Sequence, residues 1–493
     1  MGLTRTIEQR PNAAFLIFLI LHAAVWTALP AGLYHNLPLD LIEALIYGRE
    51  WQLGYDKLPP LPWWLVEVTH RLFGPDLFYY LLAEAAVVAA FWLVWLTARP
   101  MVGAVGALIA VLIVDGIHYY NYTAAKFNHD VIQLPFWALA GYAFRRALHE
   151  DKLAHWAVLG FAVGMALWAK YFVVVLAAPL ALFVLLDPQA RQSLRRPGPY
   201  LALAVALVVA APHLAWLVQN DFLPLRYVEA RASLSRGVLD HMLHPLQFLV
   251  SQMFFLAPAL LIALPLMLPR GAAPPAPQAF DRRIVTLLAF GPFAAMLALS
   301  AISGRGTIAM WGYPLWLFLG LWIVLHARAA IDHVRLGRAV AAWAVIFCVL
   351  AGAFIANYAV LPHRDGRYRA SLYPGDALAA QVSQGFRAAT GEPLKYVIGE
   401  MWIGGNVAHY SGLQPQVLID GDPRRAPWID LADLRKHGAV VVWQDTDLSK
   451  IPRELAAVSA GAIMQPTLDL PFRAATSRRI SVGWAILPPA KGQ

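Results

Sequence analysis

Long apolar segments recur along this chain from residue 13 to residue 358, and each is close to the length of a bilayer-spanning helix. About 20 consecutive apolar residues are needed to cross the hydrocarbon core as an α-helix. Only 14% of the 493 residues are charged, whereas soluble domains average roughly 25%. The pattern predicts an α-helical polytopic membrane protein with about eleven transmembrane helices. They are expected near residues 13–30, 77–98, 101–118, 131–148, 154–169, 171–187, 198–217, 246–268, 284–302, 308–326 and 338–358.

Basic residues mark alternate loops between these segments, which predicts the orientation. Cytoplasmic loops carry an excess of Lys and Arg, and this rule is met throughout if the N-terminus is cytoplasmic. The net charge of +9 is then a topology signal, so we expect no nucleic-acid partner. With this orientation, the C-terminal part is expected on the outer side of the membrane. The basic loops are Arg99, Arg145 to Lys152, Arg191 to Arg196, Arg270 to Arg283 and Arg328 to Arg338.

The composition changes after about residue 361 to a mixture of polar and apolar residues. Short β-type runs and helical patterns predict a small soluble α/β domain over residues 362–493, following a transmembrane domain over residues 1–361. The expected strands are Tyr396–Ile398, Val417–Ile419 and Val440–Trp443, and the expected helices lie near 376–390 and 452–461. A Pro/Ala run at 271–279 is expected to be a linker without a function of its own.

The first loop on the expected outer side, residues 31–76, is unusually rich in charged and aromatic residues. A helix over residues 40–50 would place Asp40, Glu43 and Tyr47 on one face. It should end before Gly54, ahead of an extended turn at Pro59-Pro60. Carboxylates and cations beside a bilayer suit an enzyme that meets a lipid-borne anionic substrate. Aromatic residues also line membrane interfaces for purely structural reasons, so a structural interfacial loop is the alternative.

Other polar residues on the expected outer side lack a simple structural explanation. Asp130 begins an apolar segment, where Asn128 or Asp130 could also serve as a helix cap. Lys170 lies between two apolar halves, where it needs an aqueous cavity, a partner or a path to the interface. Arginines in outer loops run against the topology rule and suit phosphate binding through their planar guanidinium. They include Arg226, Arg231, Arg236 and Arg305.

The pattern of these residues resembles that of the glycosyltransferase C superfamily. The closer likeness is to its bacterial branch, which is related to family 39 protein O-mannosyltransferases and to lipid A aminoarabinose transferases. Asp40 matches the first acid of an Asp-Glu pair in that family's first outer loop, although Leu41 replaces the second acid. Gly54-Tyr55, Lys57 and Pro59-Pro60-Leu61 match the turn that follows, with Leu58 where many members carry a basic residue. Similar features are Asp130, Lys170, Pro212 to Trp216 and Asn220, and the likeness covers roughly residues 10–330.

The resemblance implies a membrane glycosyltransferase of the GT-C fold. Such an enzyme moves a sugar from a polyprenyl-phosphate donor to an envelope acceptor, which can be lipid A, a polysaccharide, another lipid or a protein. Asp40 is the expected general base, with Glu43 the nearest second carboxylate. Inversion at the anomeric carbon is expected. The donor phosphate would be bound by Lys57, Arg226, Arg231 or Arg305. The substrate pocket would include Tyr55, Asp130 and Lys170.

Two other functions and one cofactor question stay open at this stage. A transporter or flippase of lipid-linked sugars is the main alternative, although no repeat between the halves is evident. A scaffold whose α/β domain binds a partner is another. No cofactor is required, since no Walker-type motif is present and the donor is already activated. A divalent metal on Glu43, His129 and Asp130 is conceivable, whereas the single cysteine excludes a Cys-based metal site.

Overall fold

A computed structural model of the chain describes residues 2–231, 234–235, 237–268, 278–327, 330–365, 367–473 and 478–490. Arg236 and most of the Pro/Ala run at 271–279 lie outside these ranges. Contacts divide the chain into two compact units. We call Met1–Leu29, Lys57–Leu61 and Tyr80–Ala353 the helical unit, and Pro30–Asp56, Pro62–Tyr79 and Phe354–Gln493 the mixed unit.

Helices dominate the chain up to residue 355. Among the described residues, six helices are long and apolar enough to cross a membrane, namely α2, α5, α9, α11, α12 and the helix that begins at His333. The helices are α1 (Gly2–Gln9), α2 (Pro11–Leu33), α3 (Leu39–Gly48), α4 (Leu61–Phe73), α5 (Leu77–Asp115), α6 (His129–Glu150), α7 (Leu153–Ala169), α8 (Val174–Leu186), α9 (Gly198–Gln219), α10 (Leu223–Arg231), α11 (Asp240–Met267), α12 (Ala279–Ser303), α13 (Leu319–Leu325) and α14 (His333–Ile355).

Two predicted breaks between neighbouring spans are confirmed. The spans expected at 77–98 and 101–118 are the two arms of α5, joined at Gly103, whose φ of 71° and ψ of 174° are not helical. Glycine adopts this positive φ without a Cβ clash. The hairpin at Lys170 is also present, because α7 ends at Ala169 and Lys170 is extended, with φ −165°. A short 3₁₀ turn, Tyr171–Val173, then leads into α8.

The span expected at residues 308–326 is not one continuous helix, and this part of the prediction is wrong. A 3₁₀ run, Ala309–Trp316, precedes the short helix α13. Pro314 lies inside that run and cannot donate a backbone hydrogen bond. Buried Gln252 of α11 replaces part of the lost bonding: its Nε2 donates to the carbonyl of Ala309 at 2.9 Å. Its Oε1 accepts from Nε1 of Trp316 at 3.0 Å.

Small residues allow α7 to pack closely on α9 in the helical unit. A Cβ on Gly160 would collide with the carbonyl of Ala202, and one on Gly164 would crowd the side chain of Val209. Close approach through small residues is typical of helix pairs in membranes. The helix α7 also packs on α6. This packing fixes the C-terminal end of α7, and therefore Lys170, relative to α6.

The C-terminal part of the mixed unit contains the predicted α/β structure. Its sheet has the order β2-β1-β3-β6-β4, with β1 parallel to β2 and β3, and β6 antiparallel to β3, β4 and β5. The three predicted strands are confirmed as β1 to β3, whereas the last three strands were not foreseen. The strands are β1 (Tyr396–Gly399), β2 (Gln416–Ile419), β3 (Ala439–Trp443), β4 (Ile463–Met464), β5 (Leu468–Pro471) and β6 (Arg479–Leu487).

Five further helices accompany this sheet in the described part of the mixed unit. They are α15 (Pro362–Asp365), α16 (Gly375–Thr390), α17 (Met401–Tyr410), α18 (Leu431–His437) and α19 (Arg453–Ala456). The helix predicted near 376–390 is therefore present, while the one predicted at 452–461 is a single turn. Helix α17 packs against α3, and Gly405 lets the side chain of Ile42 approach closely. Residues Pro30–Asp56 of the first outer loop, which we call the first-loop segment, are thus part of the same compact unit as the sheet.

Candidate active site

Helix α3 carries the two carboxylates predicted to be catalytic. Pro38 precedes it with an extended ψ of 157°, and Asp40 lies in its first turn. A negative charge is favourable at that position because it faces the positive end of the helix dipole. Asp40 is half-buried, and Glu43, one turn later, is buried. Residues three apart are neighbours on a helix, so the predicted pairing of these two acids on one face holds.

An aromatic cluster holds the turn after α3 in place. The ring of buried Tyr47 stacks on Trp63 at 4.4 Å and meets the edge of Tyr55 at 4.9 Å. The hydroxyl of Tyr55 donates to the carbonyl of Tyr47 at 2.6 Å and accepts from the backbone N–H of Gln52 at 3.1 Å. Tyr55, predicted to line the substrate pocket, is only 2% exposed. Its hydroxyl is bonded to the backbone of the turn that it shapes.

Asp56 ends the first-loop segment of the mixed unit and is held by two donors. The hydroxyl of Tyr47 donates to its Oδ1 at 2.7 Å, and Nε of Arg425 donates to its Oδ2 at 2.7 Å. Burial, together with the carboxylates of Asp56 and Glu43, raises the pKa of Tyr47 well above its usual value. Tyr47 therefore stays protonated and remains a donor. Arg425 also pairs with Asp420, at the carboxyl end of β2.

The helical unit brings Lys57 and the start of α6 together. The ammonium of Lys57 lies 5.1 Å from the ring centre of Tyr227 on α10, a cation–π distance. Nε2 of buried His129 is 3.0 Å from the carbonyl of Pro59 and donates to it, since a carbonyl can only accept. Lys57 and Lys170 are both close enough to act electrostatically on His129. Two predicted cations thus lie around one buried histidine.

Asp130 and Lys170, which the sequence singled out separately, form an ion pair. Nζ of Lys170 is 2.6 Å from Oδ1 of Asp130, with 13% and 14% of the two side chains exposed. Asp130 also accepts from Nε2 of Gln133 at 3.1 Å. The capping alternative is correct for Asn128, whose side chain accepts from two backbone N–H groups, but not for Asp130. Lys170 therefore has a carboxylate partner rather than reaching alone to the interface.

Three arginines were predicted to bind the donor phosphate, and the structure describes the side chains of two of them, Arg226 and Arg305. Arg226 is exposed on α10, one residue before Tyr227. Arg231 ends α10, but its side chain lies outside the described residues. Arg305 is half-buried in the loop after α12, where its backbone carbonyl accepts from Ser300 and its N–H donates to Ser303.

The metal site considered from the sequence involves residues that have other partners in the structure. Within the described ranges, no group of three or more His, Cys, Asp or Glu side chains has an arrangement suited to a metal ion. His129 donates to a backbone carbonyl, and Asp130 is bonded to Lys170. Within the helical unit, His129 and Asp130 therefore already have protein partners, and metal binding stays a prediction.

A buried charged cluster within the membrane helices was missed by sequence reasoning. The imidazole of His22 on α2 lies 3.0 Å from Glu84 and 2.9 Å from Asp115, at two ends of α5, and all three side chains are fully buried. Nε1 of Trp343 on α14 donates to the other oxygen of Asp115 at 2.6 Å. Each of these residues is a single polar position within an apolar segment. The isolated acids in such segments were the available signal, because a membrane helix rarely carries one without a partner.

Comparison with known proteins connects this geometry to a family. Residues 57–216, which include Lys57, Asp130 and Lys170, match the dolichyl-phosphate-mannose-protein mannosyltransferase family. The lipid A galacturonosyltransferase RgtD of Rhizobium johnstonii is 29% identical over 233 residues, which are 46% of this chain and 48% of that protein. The lipopolysaccharide core galacturonosyltransferase RgtB of the same organism is 30% identical over 201 residues, 40% of either protein. The chain spans less than half the length of these curated relatives.

Solved structures extend the likeness to nearly the whole chain. ArnT from Cupriavidus metallidurans in the apo state superposes with a TM-score of 0.63 at 14% identity, over 97% of this chain and 98% of that one. ArnT bound to undecaprenyl phosphate gives a TM-score of 0.60 at 15% identity, over 97% and 99%. The chain has the ArnT fold. The predicted resemblance to a known family is confirmed by the family match over residues 57–216. The solved structures confirm the predicted fold class of a multi-pass helical membrane protein with a small C-terminal α/β part.

Proposed function

We propose that this chain is an integral membrane glycosyltransferase that transfers a sugar from a polyprenyl-phosphate donor to an acceptor of the cell envelope. One observation carries the proposal: at the start of α6, His129 bonds to the carbonyl of Pro59, two residues after Lys57, and the next residue, Asp130, pairs with Lys170. Cations in a site that largely excludes water suit a phosphate on which negative charge builds during the reaction. The ArnT fold supports the same donor class, because ArnT was solved with undecaprenyl phosphate.

Lys57 and Lys170 are the proposed ligands of the donor phosphate, with Arg226, Arg231 and Arg305 as further cations. Asp130 orients the Lys170 ammonium before the donor arrives. The phosphate would then share Lys170 with Asp130. A neighbouring carboxylate also limits how tightly the released polyprenyl phosphate is held, since like charges repel. This arrangement favours release of the product.

The proposed reaction is a single displacement with Asp40 as general base. The acceptor hydroxyl oxygen forms a bond to the anomeric carbon, and its proton passes to the Asp40 carboxylate. The bond between the anomeric carbon and the phosphate oxygen breaks, and polyprenyl phosphate leaves with the electron pair. The anomeric configuration is inverted. Glu43, buried one turn after Asp40 on α3, is the nearest second carboxylate.

The relatives support a narrower choice of substrates. Two of them are named as galacturonosyltransferases that act on lipid A or the lipopolysaccharide core. We therefore propose a uronic acid as the sugar and lipid A or core oligosaccharide as the acceptor. The proposed location is the bacterial inner membrane, with the N-terminus cytoplasmic and the active site on the periplasmic face, in agreement with the basic loops.

Reconstitution tests this function. The purified full chain is placed in liposomes with polyprenyl-phosphate galacturonate and lipid A, and the products are read by mass spectrometry. We expect lipid A to gain the mass of one hexuronic acid residue while free polyprenyl phosphate appears in equal amount. Donors carrying mannose or aminoarabinose establish sugar preference. Movement of donor across the bilayer with no glycosylated product, for every sugar tested, would instead support the transporter alternative.

A further inference from the structure

The carboxyl end of the parallel strands β1 and β2 is where an α/β sheet usually receives its ligand. In this protein that end carries Asp420, directly after β2, and Arg425 in the connection to α18. Asp420 has a positive φ of 52°, and its backbone N–H donates to the carbonyl of Gly399 at the end of β1. The strand ends therefore hold Asp420, and through it Arg425, in a defined place.

The guanidinium of Arg425 bonds to the first-loop segment, which belongs to the same unit. Its Nε donates to Oδ2 of Asp56 at 2.7 Å, while another guanidinium nitrogen pairs with Asp420. Only 12% of the Asp56 side chain and 29% of the Arg425 side chain are exposed. A pair withdrawn from water to this extent is poorly screened, so loss of one partner leaves the other charge uncompensated. The contact is more than an exposed surface pair, which would contribute little.

In the sequence, Asp56 lies between two residues to which the proposed function assigns chemistry, Asp40 and Lys57. Its other oxygen accepts from Tyr47, on the helix that begins with the candidate base Asp40. The next residue in the chain is Lys57, a candidate ligand of the donor phosphate. One carboxylate therefore joins the sheet, helix α3 and the peptide that leads into Lys57. Movement of Asp56 would change the setting of helix α3, which carries Asp40.

Neighbouring contacts hold the two residues directly after α3 but lie earlier in the chain than this link. Nε2 of Gln416 donates to Glu50, and Nη1 of Arg49 donates to the carbonyl of Gln414. Both contacts lie before the turn at Gly54-Tyr55. Within the mixed unit, the Arg425–Asp56 pair holds the end of that turn on the C-terminal part, alongside the ring of Trp428, which packs against Tyr55 and Tyr47.

We infer that Arg425 is a positioning residue for glycosyl transfer, and that the C-terminal α/β part acts in the chemical step by holding the loop that contains Asp40 and Asp56. This inference rests on the proposed function. It differs from a role of that part in acceptor recognition alone, because loss of Arg425 should reduce turnover with acceptor at saturation.

The full chain carries the test, with Arg425→Ala compared with Arg424→Ala. Arg424 is the neighbouring arginine, is 80% exposed and pairs locally with Asp422 in the same turn. Because misplacement by about 1 Å can cost roughly 100-fold in rate, we expect Arg425→Ala to lower kcat by about 10- to 100-fold. The acceptor KM should change less than threefold, and Arg424→Ala should match the wild type. Arg425→Lys should recover part of the rate, since an ammonium can still reach Asp56.

A double-mutant cycle separates positioning from general stability. Asp56→Asn and Arg425→Ala should each lower kcat, and the double variant should be no slower than the slower single variant. Multiplying effects, or an Arg425→Ala enzyme that melts earlier but keeps the wild-type kcat while folded, would overturn the inference.

Amide hydrogen exchange keeps the inference testable apart from the proposed function. Exchange over residues 49–57 should be faster in Arg425→Ala than in Arg424→Ala, whether or not the wild type transfers sugar. An inactive wild type with this exchange difference would overturn the proposed function while the loop-holding role of Arg425 stands. Equal exchange in the two variants would overturn the role of Arg425 even if transfer is observed.

Discussion

The ammonium of Lys170 lies 2.6 Å from a carboxylate oxygen of Asp130, so the end of α7 and the start of α6 are joined by an ion pair. Both residues come from positions where a helix begins or ends, on the side of the membrane that the charge pattern predicts to be outer. The ionised pair is costly to desolvate and is therefore a strong candidate for a functional contact.

Removal of Lys170 should impair donor use more than folding. We expect Lys170→Ala to lower kcat/KM for the polyprenyl-phosphate donor by about 100- to 1,000-fold, because a preorganised cation beside the phosphate is lost. The measurement is transfer rate against donor concentration in liposomes. Lys152→Ala is the control, since that lysine is 67% exposed and pairs with Glu150 on the predicted cytoplasmic side. Equal activity of the two variants would contradict the assignment of Lys170 to the site.

The buried cluster in the membrane helices should matter for stability. His22→Ala leaves Glu84 and Asp115 as buried carboxylates without their shared partner, so we expect destabilisation by about 3–5 kcal/mol. Thermal unfolding in detergent, monitored by size-exclusion chromatography, measures this destabilisation. His326→Ala is the control because that histidine is exposed. Replacing His22, Glu84 and Asp115 together with leucine should be less harmful than His22→Ala, and a more harmful triple variant would count against this explanation.

Glu400 should give the mixed unit a pH-dependent stability. Burial, followed by repulsion from Asp420, Glu454 and Asp445, raises the pKa of Glu400. A raised carboxyl pKa means that the folded state binds the proton more tightly than the unfolded state, so this group's contribution to stability falls as pH rises through the folded pKa. Glu400→Gln should therefore stabilise the protein at pH 7, by less than about 1 kcal/mol because the side chain keeps part of its contact with water, which screens the repulsion.

The comparison across pH decides that prediction. The gain in melting temperature from Glu400→Gln should shrink towards pH 4, where the wild-type carboxyl becomes protonated. Glu392→Gln, which changes an exposed acid before β1, is the matched control. A gain from Glu400→Gln that is equal at pH 4 and pH 7 would show that charge is not its cause.

The sequence was most informative where a single local pattern determines the outcome. Length and hydropathy predicted most of the membrane helices, and the positions of Asp130 and Lys170 beside apolar segments marked both before their pairing was known. Pairings between distant parts of the chain were not accessible. Arg425 is one arginine among many in a polar region, and its partner Asp56 is 369 positions away. The 3₁₀ run at 309–316 was also not predicted, because Pro314 lies within an apolar segment that has the length of a membrane helix. The bond from Gln252 to this irregular backbone joins distant parts of the chain.

The central claim is that the carboxylate of Asp40 takes the proton from the acceptor. The most direct measurement is single-turnover transfer by Asp40→Asn with saturating donor, compared with Asp221→Asn, an exposed acid in a turn whose positive φ asparagine tolerates. We predict that Asp40→Asn binds polyprenyl phosphate as the wild type does but transfers sugar at least about 1,000-fold more slowly, while Asp221→Asn stays within twofold of the wild type. Transfer by Asp40→Asn at the wild-type rate would contradict the account.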